Sequence, residues 1–204
     1  MVDLPPIPDR STGEPRPPKA PRREISRTYV EHTPTDRVPK NPPPLPEGVG
    51  PVLEWSQGTR KDAWKATFAC WAFGAIAFTV MNGFAWLTVW IPWLYFPAIW
   101  WAMFRVMKLK WLAVGSVWVQ DRRGWVNLYE LTRIRFAVDG LNRVLRLDDS
   151  AGRELDQLYL RDAQANSAMW DLIYNGILHS VASGNCEISE KARAVLRLPT
   201  DVGR

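Results

Sequence analysis

Asp148-Asp149 is the kind of adjacent carboxylate pair that can supply a general acid and a general base, and His179-Ser180 the kind of pair that can supply a nucleophile and its base. Neither spacing delivers the geometry. Consecutive strand residues point to opposite sides, and residues i and i+1 on a helix diverge. Cys70 sits in an apolar block and Cys186 in polar sequence, with no C-x-x-C spacing, and His32 and His179 are equally isolated. A zinc site would have to borrow distant carboxylates. Nucleophile-elbow, phosphate-loop and dinucleotide-binding motifs are absent from the sequence. The expectation is a protein that is not an enzyme, with no cofactor and no metal.

The remaining chemistry is that of arginine. Arg122, Arg123, Arg133 and Arg135, followed by Arg143, Arg146 and Arg153, fall in or beside expected strands. Held under an anionic leaflet, each such residue contributes about 1 kcal/mol of attraction. Arg122, Arg123, Arg133 and Arg135 are therefore the candidate contacts to a membrane surface or a partner. Asp121, Glu130, Asp139, Asp148 and Asp149 interleave with them, so an ordinary solvated face is the alternative. Direct nucleic-acid binding is not expected, because a basic groove interleaved with aromatics is missing.

The elements that would position these arginines follow from pattern. "WLAVGSVWV" reads as a strand, "QDRRG" as a turn, and in "WVNLYELTRIRFAV" Thr132, Ile134, Phe136 and Val138 alternate with Arg133, Arg135 and Ala137. Asp139-Gly140 is a hairpin signal, "LNRVLRL" and "ELDQLYL" read as further strands, and "DDSAGR" turns between them. Asp162 can cap a helix starting at Ala163. Met169, Leu172, Ile173, Ile177 and Val181 then recur at helical spacing until Gly184 stops it. Strands followed by a helix give a small α+β domain over residues 111–184, with 185–204 as a polar tail containing at most a short helix.

Ahead of that domain, the 39 residues from Ala66 to Phe104 carry no charge. As one helix they would reach roughly 58 Å, against a hydrocarbon core of about 30 Å. Two spans separated at Asn82-Gly83 fit, giving a transmembrane helical hairpin within residues 62–106. Arg60, Lys61 and Lys65 precede it and Arg105, Lys108 and Lys110 follow, which places both termini in the cytoplasm. Trp64, Trp100, Trp101 and Trp111 are expected to anchor the inner interface and Trp86 the outer one. Trp86, Trp90 and Trp93 have the spacing of an aromatic stripe on the second helix, facing lipid or an oligomer seam.

Residues 1–58 hold 14 of the 17 prolines, and 11 basic residues nearly balance 9 acidic ones through Lys65. A disordered, proline-rich cytoplasmic tail is expected. Pro18 to Pro21 and Pro43 to Pro46 have PxxP spacing, the first beside arginines. Chance spacing in a proline-dense spacer is the expectation, and a groove-binding protein ligand the alternative.

Two membrane spans, the segment "YELTRIRF", the turn "DDSAGRELDQLYL" and one closing helix resemble the bacterial pleckstrin-homology-like membrane proteins, with matching elements at Glu130 to Ile134 and Asp149 to Gly152. The resemblance covers about residues 64–183 and implies a cytoplasmic β domain closed by a helix. Asn166 and Trp170, with Ser180 and Gly184 downstream, are similar to small "spread" membrane proteins of actinobacterial conjugative elements. The functional expectation is a membrane-anchored interaction or scaffold protein of the plasma membrane, accessory to a membrane complex. The alternative is an accessory component of a conjugative DNA-transfer apparatus.

Overall fold

The computed structural model describes residues 4–22, 48–57, 60–88, 90–108 and 111–198. They cluster into two compact units, Gln57–Trp111 and the flanking sequence Met1–Ser56 with Leu112–Arg204.

In the first unit, α1 (Arg60–Asn82) ends where Gly83 takes φ +59°, a conformation costly for other residues. A 3₁₀ segment (Gly83–Thr88) precedes α2 (Trp90–Lys108). The second helix therefore starts later than the expected Phe84. Trp86 falls in the 3₁₀ segment beside Phe78 and Phe96, while Trp90 and Trp93 stand exposed on α2, so the three tryptophans expected to form a stripe do not share one regular helix. Ring contacts pair Trp64 with Trp100 at 5.9 Å, Trp71 with Phe96 at 5.0 Å and Trp86 with Phe96 at 6.1 Å, which makes α1 and α2 antiparallel neighbours. Phe96 packs against Gly74 closely enough that a Cβ there would touch its ring at 3.4 Å, an ordinary van der Waals contact. Indole N–H groups find local acceptors: Trp71 donates to the Phe96 carbonyl at 3.2 Å and Trp86 to Thr79 Oγ1 at 3.0 Å. Among the described residues one stretch, Thr67–Thr88, is long and apolar enough to cross a membrane, by length and composition.

The second unit is α+β. Strands β1 (Glu54–Gln57), β2 (Trp111–Val114), β3 (Trp118–Asp121) and β4 (Trp125–Asn127) form one sheet in that order. β5 (Leu131–Asp139), β6 (Asn142–Asp149), β7 (Glu154–Tyr159) and β8 (Glu187–Ile188) form another, ordered β7-β6-β5-β8, antiparallel except for the β5–β8 pair. "WLAVGSVWV" is thus two strands of a hairpin. Val114 opposes Val119, Gly115 N–H bonds to the Trp118 carbonyl at 3.0 Å, and the Trp118 indole lies where a Cβ on Gly115 would sit.

Helices α3 (Leu160–Ala165) and α4 (Ser167–Ala182) close the domain. All five residues expected on the apolar face of the closing helix, Met169, Leu172, Ile173, Ile177 and Val181, are buried with Trp170, Leu128, Leu145 and Leu147 in one core. Ser180 pins α4 to the β4–β5 turn, accepting from the Leu131 N–H at 3.0 Å and donating to the Leu128 carbonyl at 2.8 Å. Gly184, at φ +77°, follows the helix end as expected.

The helix start differs from expectation. Asp162 lies inside α3, and Asn166 is the cap of α4, its Oδ1 accepting from the Met169 N–H at 3.2 Å while Nδ2 donates to Glu54 at 3.0 Å. Asn166→Ala will therefore lower stability by about 2 kcal/mol, combining cap loss with a buried Glu54 deprived of its donor. Asp162→Ala, at an exposed position in the first turn of α3, will lower it by less than that. Paired urea melts check the difference, and equal effects would return the cap to Asp162.

Both expected tails are partly folded. β8 and α5 (Glu190–Leu196) belong to the domain, with Ala192, Leu196 and Leu198 in its core. Residues 4–22 form a strap against the domain, with Ala20 in the same core and Leu4 and Leu53 against it. The disordered tail expected over 1–58 is thus corrected for residues 4–22 and 48–57. Residues 23–47, with His32 and Pro43 to Pro46, lie outside the described residues.

Candidate functional site

The strongest constellation of side chains in the folded domain holds the strap. Proline-rich backbone offers carbonyls and few N–H groups, so its partners must be donors. Helix α4 provides them. His179 Nε2 lies 2.6 Å from the Pro5 carbonyl, which can only accept, so Nε2 carries the proton; the imidazole lies tilted against the Tyr129 ring, centroids 5.2 Å apart. Asn175 Nδ2 donates to the Tyr129 hydroxyl at 2.9 Å and to the Pro6 carbonyl at 3.5 Å. Burial pushes the Tyr129 hydroxyl up to about 12, with Asn175 opposing. Trp170 Nε1 donates to the Pro21 carbonyl at 2.9 Å. Asp171 accepts from the Ala20 N–H at 2.8 Å and from Arg22 at 3.0 Å.

Between these anchors the chain turns at Asp9, whose carboxylate accepts from the N–H groups of Ser11 and Thr12 at 2.9 and 3.0 Å. Hydrogen bonds led by the Ser11 hydroxyl lower the Asp9 carboxyl to about 2. Arg16 lies 3.7 Å from the buried Glu54. Sequence reading missed this set. Asp171, Asn175 and His179 repeat every four residues, a polar stripe along an otherwise apolar helix. That stripe, with the arginine-flanked PxxP of Pro18 to Pro21, was the available signal.

Asp148 and Asp149 do point apart, as expected of neighbours at a strand end. The Asp149 side chain is fully buried and accepts from the N–H groups of Asn127, Ala151 and Arg153 at 3.0 Å each and from Arg153 Nε at 2.6 Å. The Arg153 guanidinium lies over the Trp125 ring, 3.6 Å from its centroid. Glu130 closes the same turn, its carbonyl accepting from the Ser150 N–H at 2.9 Å and its carboxylate from the Ser150 hydroxyl at 3.1 Å. The two segments that carry the pleckstrin-homology-like resemblance therefore meet, as a structural turn. A groove of about 290 Å³ lined by Arg10, Trp125, Glu130 and Arg153 opens beside it. Asp149 thus holds the turn together from within, while the Glu130 carboxylate stays at the surface.

The candidate arginines divide between the sheets. Arg133 and Arg135 share the exposed face of β5, where Arg133 pairs with Glu187 at 3.1 Å and Arg135 with Asp148 at 3.2 Å. Arg135 stands opposite Arg146 on β6. Arg122 and Arg123 are exposed in the β3–β4 turn, which Asp121 closes by accepting from the Arg123 and Gly124 N–H groups at 2.6 and 3.0 Å. No ion pair holds Arg122 or Arg123 among the described residues. Of the tryptophan anchors, Trp64, Trp100 and Trp101 are exposed, Trp100 lying tilted against Trp64, Trp86 is half-buried against Phe78 and Trp111 begins β2. Arg105 lies over the Trp101 ring at 5.3 Å. Cys70 is exposed, whereas Cys186 is half-buried and its thiol is pushed up to about 12 by burial and then by Glu187.

No family model matches this chain. No curated protein and no solved structure matches it either.

Proposed function

We propose that this chain is a membrane-anchored interaction protein, with α1 and α2 crossing the plasma membrane as a hairpin and the pleckstrin-homology-like domain and both termini in the cytoplasm. The observation that carries the reading is the surface of the helical unit. Phe68, Phe73, Ile76, Val80, Met81 and Phe84 all stand exposed, and apart from Thr67 no residue of the apolar stretch Thr67–Thr88 is buried. An apolar surface of that extent, made of consecutive turns with no charged stripe, fits hydrocarbon better than water. Leu94, Trp93 and Trp101 extend it onto α2. The flanking Arg60, Lys61 and Lys65 and Arg105, Lys108 and Lys110 support cytoplasmic ends.

The folded domain, with Asp149 and Glu130 holding a turn and the arginines on exposed positions, supports a binding role. The arginines add orientation: two contacts near an anionic leaflet supply only about 2 kcal/mol, too little to anchor without the helices. Topology is the test. With Ser56→Cys, Asn82→Cys or Ser183→Cys as the single cysteine in a Cys70→Ser, Cys186→Ser background, an impermeant thiol reagent on intact cells will label only position 82. Labelling at 56 or 183 in sealed cells, or its absence at 82, overturns the hairpin.

A further inference from the structure

The N-terminal half of α4 grips residues 17–22 through contacts that read the chemistry of an extended proline-rich peptide. Pro17 and Ala20 are buried while Pro18, Lys19 and Pro21 are exposed, and a spacing of three is one turn of polyproline II. Trp170 donates its indole N–H to the Pro21 carbonyl, and its ring lies 6.0 Å from that of Tyr174. Asp171, 14% exposed, takes both the Ala20 N–H and the Arg22 guanidinium, so one carboxylate fixes register and direction together. An indole donor beside a second aromatic ring, with an acid placed for an arginine, matches the aromatic-lined grooves that bind proline-rich ligands. Release of the segment is simple. Among the described residues no backbone–backbone hydrogen bond ties residues 15–22 to a strand, and residues 23–47 separate it from Gly48, so it stays tethered when displaced.

We infer that this face of α4 is a receptor for proline-rich segments ending in arginine, that the chain's own Pro17–Arg22 fills it in cis, and that a partner protein carrying a segment of the same chemistry binds by displacing it. The inference does not rest on the membrane reading, because every group it uses lies in the α+β unit.

The probe is a fluorescent peptide of residues 15–23, PRPPKAPRR, titrated into the full chain in mild detergent and read by anisotropy. Ala20→Pro with Arg22→Ala in the chain's own strap removes the N–H and the guanidinium that Asp171 accepts. This variant will bind the peptide roughly tenfold or more tightly than the wild-type chain, whose tethered competitor is present at high effective concentration. Adding Asp171→Ala will abolish the gain, and a peptide carrying Ala20→Pro will not bind. In the wild-type chain, saturating peptide will speed hydrogen exchange at the Ala20 amide, a readout that survives if the strap variant misfolds. A folded variant that ignores the peptide, binding indifferent to Asp171→Ala, or an Ala20 amide unmoved by peptide each overturns the inference. A wild-type dimer that the peptide splits would assign the segment in trans to a second copy and remove the partner protein.

Discussion

Asp149→Ala will cost the domain at least about 3–5 kcal/mol and bring it near unfolding at 37 °C, while Asp148→Ala will cost less than about 1 kcal/mol. The two carboxylates are neighbours in sequence and opposites in environment. Asp149 is fully buried and holds three backbone N–H groups and Arg153, so its removal strands four donors and loosens the guanidinium stacked on Trp125. Asp148 is paired through one oxygen with the half-exposed Arg135, and its buried Oδ1 has no partner among the described residues. Losing that oxygen offsets the lost pair. Asp149→Asn, which retains a carbonyl acceptor but places an amide donor among donors, will fall between them. Urea melts followed by tryptophan fluorescence separate the three variants. Equal midpoints for Asp148→Ala and Asp149→Ala would show that the turn is not built on Asp149.

The closing helix was legible because its signal is local: Met169, Leu172, Ile173, Ile177 and Val181 recur at helical spacing and all face the core. The hairpin at Asp139-Gly140 was legible for the same reason, and Gly140 takes φ +59° between β5 and β6. What could not be read depends on partners distant in sequence. Residues 4–22 have the composition of a solvated tail, and side chains distant in sequence fix them, chiefly Trp170, Asp171, Asn175 and His179 of α4, with Glu54 and Ser116 adding contacts to Arg16 and to the Arg10 carbonyl. Residues 185–198 read as polar, yet three apolar residues, Ala192, Leu196 and Leu198, suffice to dock them once β5 offers an edge to β8. Asp162 and Asn166 are both good caps by type, and the choice between them rests on Glu54, which bonds to Asn166 from the far end of the chain. The arginine-bearing strand was read in the right phase at its centre. At its start an irregularity between Leu131 and Arg133 turns Leu131 inward and leaves Thr132 exposed, and at its end Val138 is 64% exposed beside the hairpin.

That central phase yields the second large effect. Ile134 is fully buried in β5, opposite Leu147, and in the core beneath α4. Ile134→Asp places a carboxylate there with no donor to meet it, at a cost of several kcal/mol, a large fraction of the roughly 5–15 kcal/mol that holds a domain folded. The full chain carrying it will lose its cooperative melt and its near-ultraviolet tryptophan signal. Arg133 is the next residue and half-exposed, and its pair with Glu187, itself 75% exposed, is screened by water and salt. Arg133→Asp exchanges that pair for a weak repulsion and will shift stability by less than about 1 kcal/mol. Because the two variants introduce the same side chain one residue apart, propensity and charge are held nearly constant and the difference reports which way each position faces. Two variants that melt alike would mean that β5 is turned over, which would place Arg133 and Arg135 in the core and remove them as contacts to lipid or partner.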